Sequence, residues 1–170
     1  MSLNSDQKQA AYNMSDEKSN YFTTEALQKM IEVQGKTIEA IVVFLWQNSI
    51  DEKSSVEIID GLQLRFTDGE RITISCNEKS DGLEIIDYNF KEIKKQLEEE
   101  FKGKIKMHAL DASSTKMWLD IKGKTLKAIR LTKEGDNYKN DSVMLDFTDE
   151  GRTVGMSPYD GIVIDYHEEV

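Results

Sequence analysis

Cysteine and proline each occur once in these 170 residues, and histidine occurs twice. A single thiol, Cys76, excludes an intramolecular disulfide framework. It continues the alternation of Ile72 and Ile74, so it reads as a small core residue of a strand. His108, His167 and Cys76 cannot assemble a zinc site at any recognised spacing, and no metal or cofactor is expected. No Gly-x-Gly-x-x-Gly, phosphate-binding loop or Gly-x-Ser-x-Gly is present. Gly155-Met156-Ser157-Pro158 is a poor substitute, because Pro158 blocks the helix that must follow a nucleophile elbow. Long apolar runs are also missing. The longest, Ala40 to Trp46, falls far short of the ~20 residues needed to cross a bilayer, so no membrane span is expected. Met1-Ser2-Leu3-Asn4 and the polar residues after it lack the basic and apolar regions of a secretory signal, which gives the expectation of a cytoplasmic protein.

Charge is present in quantity. There are 32 acidic residues against 22 basic ones, a formal net charge of −10, and charged residues make up 32% of the chain. A surface of that sign repels phosphate backbones, so nucleic acid is not expected as a partner. It suits a basic partner and keeps the protein in solution, without bearing on fold. The apolar fraction, 38%, is concentrated in short runs, as a folded core requires.

Those runs come in two sets. Ile31-Glu32-Val33-Gln34-Gly35-Lys36-Thr37-Ile38-Glu39-Ala40-Ile41 matches Leu119-Asp120-Ile121-Lys122-Gly123-Lys124-Thr125-Leu126-Lys127-Ala128-Ile129. Leu62 to Asp68 matches Val143 to Asp149, and Asp81-Gly82-Leu83-Glu84-Ile85 matches Asp160-Gly161-Ile162-Val163-Ile164. Three blocks in one order establish an internal duplication.

The blocks have mechanical readings. Leu62, Leu64 and Phe66 alternate with polar residues as a half-buried strand does. Asp68-Gly69 predicts a two-residue type I′ hairpin. Asp149-Glu150-Gly151 predicts a three-residue hairpin with Gly151 left-handed, which leaves Val154 and Met156 inward in place of Ile72 and Ile74. Asp81-Gly82 and Asp160-Gly161 predict second turns, each leading to a last strand near Tyr88 or Tyr166. Thr24 to Met30 predicts a helix, and Asn89, three residues before Glu92, predicts the cap of a second one. Its stripe is Phe90, Ile93, Leu97 and Phe101, and Gly103 ends it. Lys91, Lys94 and Lys95 read as its solvated face.

The expected fold is therefore α+β, with two four-stranded, mainly antiparallel β units each preceded by a helix. Residues 1–21 are expected to be a disordered or loosely attached segment and 22–88 the first repeat. Residues 89–116 form a connecting amphipathic helix and linker, and 117–170 the second repeat.

Function is sought where the copies differ. After the shared Ala-Ile, the first continues Val42-Val43-Phe44-Leu45-Trp46 and the second Arg130-Leu131-Thr132-Lys133-Glu134. Val42, Phe44 and Trp46 give the first strand a second apolar face, which something must cover. The central helix, Tyr21-Phe22 or the other repeat would cover it from within. Self-association or a protein partner would cover it from outside, and in that case the three residues form a binding patch. The loop from Gln47 to Ser55, with Asp51-Glu52-Lys53, is longer than its counterpart Glu134 to Asp141. The latter is rich in oxygen ligands but lacks the spacing of a calcium loop. Asp68 and Asp149 occur once per copy and would pair across a pseudo-twofold axis, yet Asp before Gly is also what such turns require. The tail Asp165-Tyr166-His167-Glu168-Glu169 reads as a frayed terminus. No catalytic residue is assigned.

Gly35-Lys36-Thr37-Ile38 followed by Phe66-Thr67-Asp68-Gly69, with their second-copy equivalents, resembles a pattern common in small uncharacterised bacterial and phage-borne β domains. The resemblance covers both copies and rests on turn and strand residues. It implies kinship of fold and a non-enzymatic role, and carries over no catalytic residue. The functional expectation is a non-catalytic bacterial binding protein, of the immunity or inhibitor kind, for a basic partner. The alternative is a small hydrolase or lyase working through carboxylates between the repeats.

Overall fold

The computed structural model describes residues 20–48 and 56–168. Most of the N-terminal segment, the Asp51-Glu52-Lys53 loop and the end of the acidic tail lie outside the described residues. Helix α1 is Thr24–Val33 and α2 is Phe90–Glu100. The first copy supplies β1 (Ile38–Asn48), β2 (Val56–Phe66), β3 (Arg71–Cys76) and β4 (Leu83–Ile85). After α2 come β5 (Ile105–Asp111) and β6 (Leu126–Arg130), then a small hairpin of β7 (Lys133–Glu134) and β8 (Asn137–Tyr138). The chain ends with β9 (Ser142–Phe147), β10 (Glu150–Ser157) and β11 (Gly161–Glu168).

The α+β expectation of two four-stranded units, each preceded by a helix, is not met. The protein is mostly β, and nine strands share one curled, mixed sheet. Strand β1 lies between β2 and β5. The far edge of β2 is divided: Gly61 to Arg65 pairs with β3, and Ile59 pairs in parallel with Gly161 of β11. From β11 the order continues through β10 and β9 to β6.

The circuit then closes through the duplicated Gly-Lys-Thr blocks. Thr37 bridges Thr125, and four backbone bonds flank the bridge in matched pairs. The N–H of Gly35 donates to Leu126 O (2.7 Å), as that of Gly123 does to Ile38 O (2.9 Å). The N–H of Leu126 donates to Lys36 O, as that of Ile38 does to Lys124 O, each at 2.9 Å. Each copy's block is thus the other's partner across a pseudo-twofold axis, and Gly35 and Gly123 share a φ near +88° and +89°. Both copies also carry the same bulge, since Ile38 and Ala40 oppose Phe66 and Arg65 while Leu126 and Ala128 oppose Phe147 and Asp146.

No helix precedes β6. Residues 113–123 form consecutive turns, although Trp118 and Ile121 are buried as firmly as their aligned partners Met30 and Val33. Hydroxyls there are committed elsewhere: Thr115 Oγ1 donates to Ala112 O, and Ser113 Oγ accepts from Ile41 N. Such side chains compete with helical bonding. Residues expected as linker instead form β5, with Met107 fully buried.

The hairpin turns exchange roles. Only Gly69 is left-handed (φ +89°) in the first copy, giving a three-residue loop, whereas the second copy turns on Thr148 and left-handed Asp149 (φ +67°). The register follows. Leu64 faces Ile72 and Leu145 faces Arg152, so Arg152, not Val154, occupies the place of Ile72. Val154 stands in the place of Ile74, leaving Met156 half-buried beyond it.

Gly161 is where the two copies interlock. Its φ is +71°, and a Cβ there would lie 2.1 Å from Ile58 Cγ2 and 2.6 Å from Ile59 O. Gly161→Ala is expected to cost about 2–4 kcal/mol, combining left-handed strain with overpacking against a backbone carbonyl. A lowered urea midpoint at unchanged m-value is the readout.

Candidate functional site

Of the three residues singled out as an apolar patch, Val42 and Phe44 are 6% and 3% exposed. With Met107 they form a second core, and Phe90, Ile93 and Leu97 of α2 cover it. The reason for the apolar second face is now visible: β1 is an interior strand with a helix lying on it. Asn89 makes this possible by capping α2, accepting from Glu92 N at 3.2 Å while its own amide reaches Glu92 Oε2. Phe44 stacks on Tyr88 with centroids 4.3 Å apart and on Phe90 at 5.5 Å. These two residues are therefore covered from within the chain and offer no patch. Trp46 alone reaches the surface, half-buried, where it lines a cleft.

That cleft has a volume of about 620 Å³ and lies between α2, the β2–β4 segment and the β10–β11 turn. Trp46, Ile58, Ile93, Leu97 and Met156 supply apolar wall, and Asp60, Glu78 and Glu84 supply carboxylates. Asp60 is the extra residue of a bulge, since Phe44 faces Gly61 while Leu45 faces Ile59. Bulges re-aim a side chain, and this one turns Asp60 into the cleft. The Tyr88 hydroxyl donates to Asp60 Oδ2 at 2.7 Å. Burial raises the Asp60 carboxyl above its ordinary value despite that bond, and burial also raises Glu84, with Glu78 and Asp60 adding repulsion.

Two further groups face the same space. Ser75 is 1% exposed, and its Oγ has no hydrogen-bond partner. A buried hydroxyl left in that state is unusual and costs about 1–3 kcal/mol. Cys76 is not fully in the core but half-buried at the cleft, and burial pushes its thiol up to about 11. It stays protonated at neutral pH, unlike an activated nucleophile. The cleft thus presents fixed acceptors beneath an apolar wall. Its second-copy lining is Met156, Ser157, Pro158 and Gly161, so both repeats border it while the carboxylates come from the first alone.

The remaining sequence candidates lie apart. Asp68 accepts from Lys36 and from Glu70 N, and Lys36, then that backbone bond, hold its carboxyl below the ordinary range. Asp149 is the left-handed residue of the corresponding turn in the second copy, with φ +67°. In the Glu134–Asp141 loop, Asn140 is buried and donates to Leu83 O at 3.1 Å, tying the second copy to β4. Lys94 pairs with Glu98 on the outer face of α2. His108 lies in β5, 3.2 Å from Gln47 Oε1. Among the described residues no group of three or more His, Cys, Asp or Glu is placed to hold a metal ion. Nor is any described helix long and apolar enough to cross a membrane.

Sequence reasoning passed over Asp60, Ser75, Glu84 and Tyr88. The available signal was Ile58-Ile59-Asp60-Gly61, where strand alternation slips by one residue before Leu62 resumes it. No family model matches this chain, and no match emerges among curated proteins or solved structures.

Proposed function

We propose that this is a non-catalytic, cytoplasmic binding protein of the immunity or inhibitor kind, and that its cleft takes a basic side chain of a protein partner. The observation that carries the reading is the acidic floor beneath an apolar wall. A Lys or Arg stem would lie along Trp46, Ile93 and Leu97 while its head meets Asp60 and Glu84, as such side chains divide between apolar and polar surroundings. The net charge of −10 would speed encounter with a basic protein. The resemblance carried by Gly35-Lys36-Thr37-Ile38 and Phe66-Thr67-Asp68-Gly69 points the same way. Carboxylate catalysis is the weaker reading, because it was expected from carboxylates between the repeats and the acidic groups of the cleft come from the first repeat alone.

Asp60→Asn tests the proposal. The folded-state pKa of Asp60 is raised, so its contribution to stability is fully present below the unfolded value and is lost as pH rises through the folded value. The asparagine variant, which keeps an acceptor for Tyr88, should therefore be more stable at neutral pH by about 1 kcal/mol, with a flatter pH dependence. It should also bind Lys- and Arg-containing apolar peptides at least about tenfold more weakly, followed through Trp46 fluorescence. In the wild type, affinity should increase as pH rises and Asp60 ionises. Peptide binding unchanged by both Asp60→Asn and Glu84→Gln would sink the reading.

A further inference from the structure

A second cavity, of about 730 Å³, lies on the other side of Tyr88, and its lining is mixed in charge with basic groups in the majority. Arg65 and Arg71 line it, together with Lys29 and Lys91 and with the carboxylates of Glu25 and Asp87. The two arginines are direct cross-strand partners of β2 and β3 and so project from the same face. Like charges placed directly opposite destabilise a sheet. Such a pair is unexpected in a chain of net charge −10, where acidic partners are plentiful.

The pair is supported from below. Gln63 and Thr73 are each 3% exposed, and Gln63 Nε2 donates to Thr73 Oγ1 at 2.9 Å. Gln63 Oε1 then accepts from Arg65 Nε at 2.8 Å. A buried amide thus holds the Nε of one guanidinium, and Nη1 and Nη2 are not used by that bond. Lys29 reaches Glu70 at 3.2 Å, whereas neither arginine is in an ion pair among the described residues. Asn89, Phe90 and Lys91 at the start of α2 also line the cavity, as do Glu25, Ala26 and Lys29 of α1.

We infer that this cavity is an oxyanion-binding site in which Arg65 and Arg71 grip a phosphate or carboxylate group in bidentate fashion. Planar guanidinium forks fit such groups, and a bound anion relieves the cross-strand repulsion. The apolar lining from Phe44, Ile86 and Phe90 suits a small organic anion, not a polymer, in keeping with the acidic surface elsewhere. The inference stands independently of the cation cleft.

The test is thermal unfolding at low ionic strength with inorganic phosphate, phenyl phosphate or benzoate, against chloride at matched ionic strength. Wild type should gain stability with at least one oxyanion beyond the chloride response. Phosphate and phenyl phosphate acting alone indicate a phosphoryl ligand, and benzoate acting alone a carboxylate. Arg71→Gln should raise Tm without anion and weaken oxyanion binding at least about tenfold, and the Arg65→Gln/Arg71→Gln pair should abolish it. Asp60→Asn should respond as wild type does. An oxyanion response that persists in the double variant, equals that of chloride, or is absent in wild type would overturn the inference. Loss of the response in Asp60→Asn would overturn the separateness of the two sites.

Discussion

Phe44→Ala is expected to destabilise the protein by about 3–5 kcal/mol, the range for removing a fully enclosed aromatic ring. Phe44 is 3% exposed and stacks on both Tyr88 and Phe90, so its removal leaves a cavity between β1 and α2. The damage should be local before it is global. None of the residues of α2 is fully buried, and Phe90, Ile93 and Leu97 hold the helix to the sheet chiefly through the small core of Val42, Phe44 and Met107. Amide hydrogen exchange should accelerate first in α2 and at Tyr88, with β9 and β10 less affected. Phe44→Lys should do still more harm by burying a charge. A loss below about 1 kcal/mol, with α2 protection unchanged, would mean that the helix does not depend on this contact.

Arg152→Ile is expected to cost about 2–4 kcal/mol, although it installs the residue that the first copy has at the structurally equivalent place. Arg152 is 4% exposed and lies between the rings of Trp118 and Tyr166, 5.6 and 5.2 Å from their centroids. Its Nε and Nη2 donate to Met117 O at 3.0 and 2.7 Å, and Nη1 donates to Gly151 O at 2.8 Å. The turns of residues 113–123 bring the Met117 carbonyl here in place of a helix, and isoleucine would leave that acceptor without a donor. Arg152→Lys should recover part of the loss, since an ammonium keeps the charge but not the fork. Urea unfolding measures both variants, and near-UV circular dichroism reports on Trp118. An isoleucine variant as stable as wild type would show that the core accepts the apolar side chain and that the carbonyls find other donors.

How much was legible differs from element to element. The alternation of Leu62, Leu64 and Phe66 and the stripe of Phe90, Ile93 and Leu97 are local periodicities, and both elements formed where they were read. The cap at Asn89 and the left-handed glycines at 35 and 123 are likewise short-range matters of sterics and hydrogen bonding. Hairpin detail was less legible, because one residue more or less in a turn changes which position must be left-handed. That change moved Arg152 into a place expected to be apolar. Residues 105–111 carried too mixed a pattern to read as a strand, and they became one because β1 offered a free edge.

The cleft was least legible, for a related reason. Asp60, Ser75 and Tyr88 lie on three chain segments, and nothing local distinguishes them from an ordinary turn aspartate, strand serine or strand-end tyrosine. The Trp46 face was noticed, but its covering was a matter of which element folded over it.

By itself the sequence determined the duplication, the strands inside each copy and the amphipathic helix, since each follows from contacts among residues near in the chain. It determined as well the net charge of −10. Only the tertiary structure decided that the copies would share one sheet and that β5 would join it. Likewise it left Ser75 without a partner beside Asp60 and set two arginines face to face. Those outcomes depend on strand edges that pair with whatever segment the rest of the fold brings within reach, and backbone N–H and C=O groups are the same at every residue.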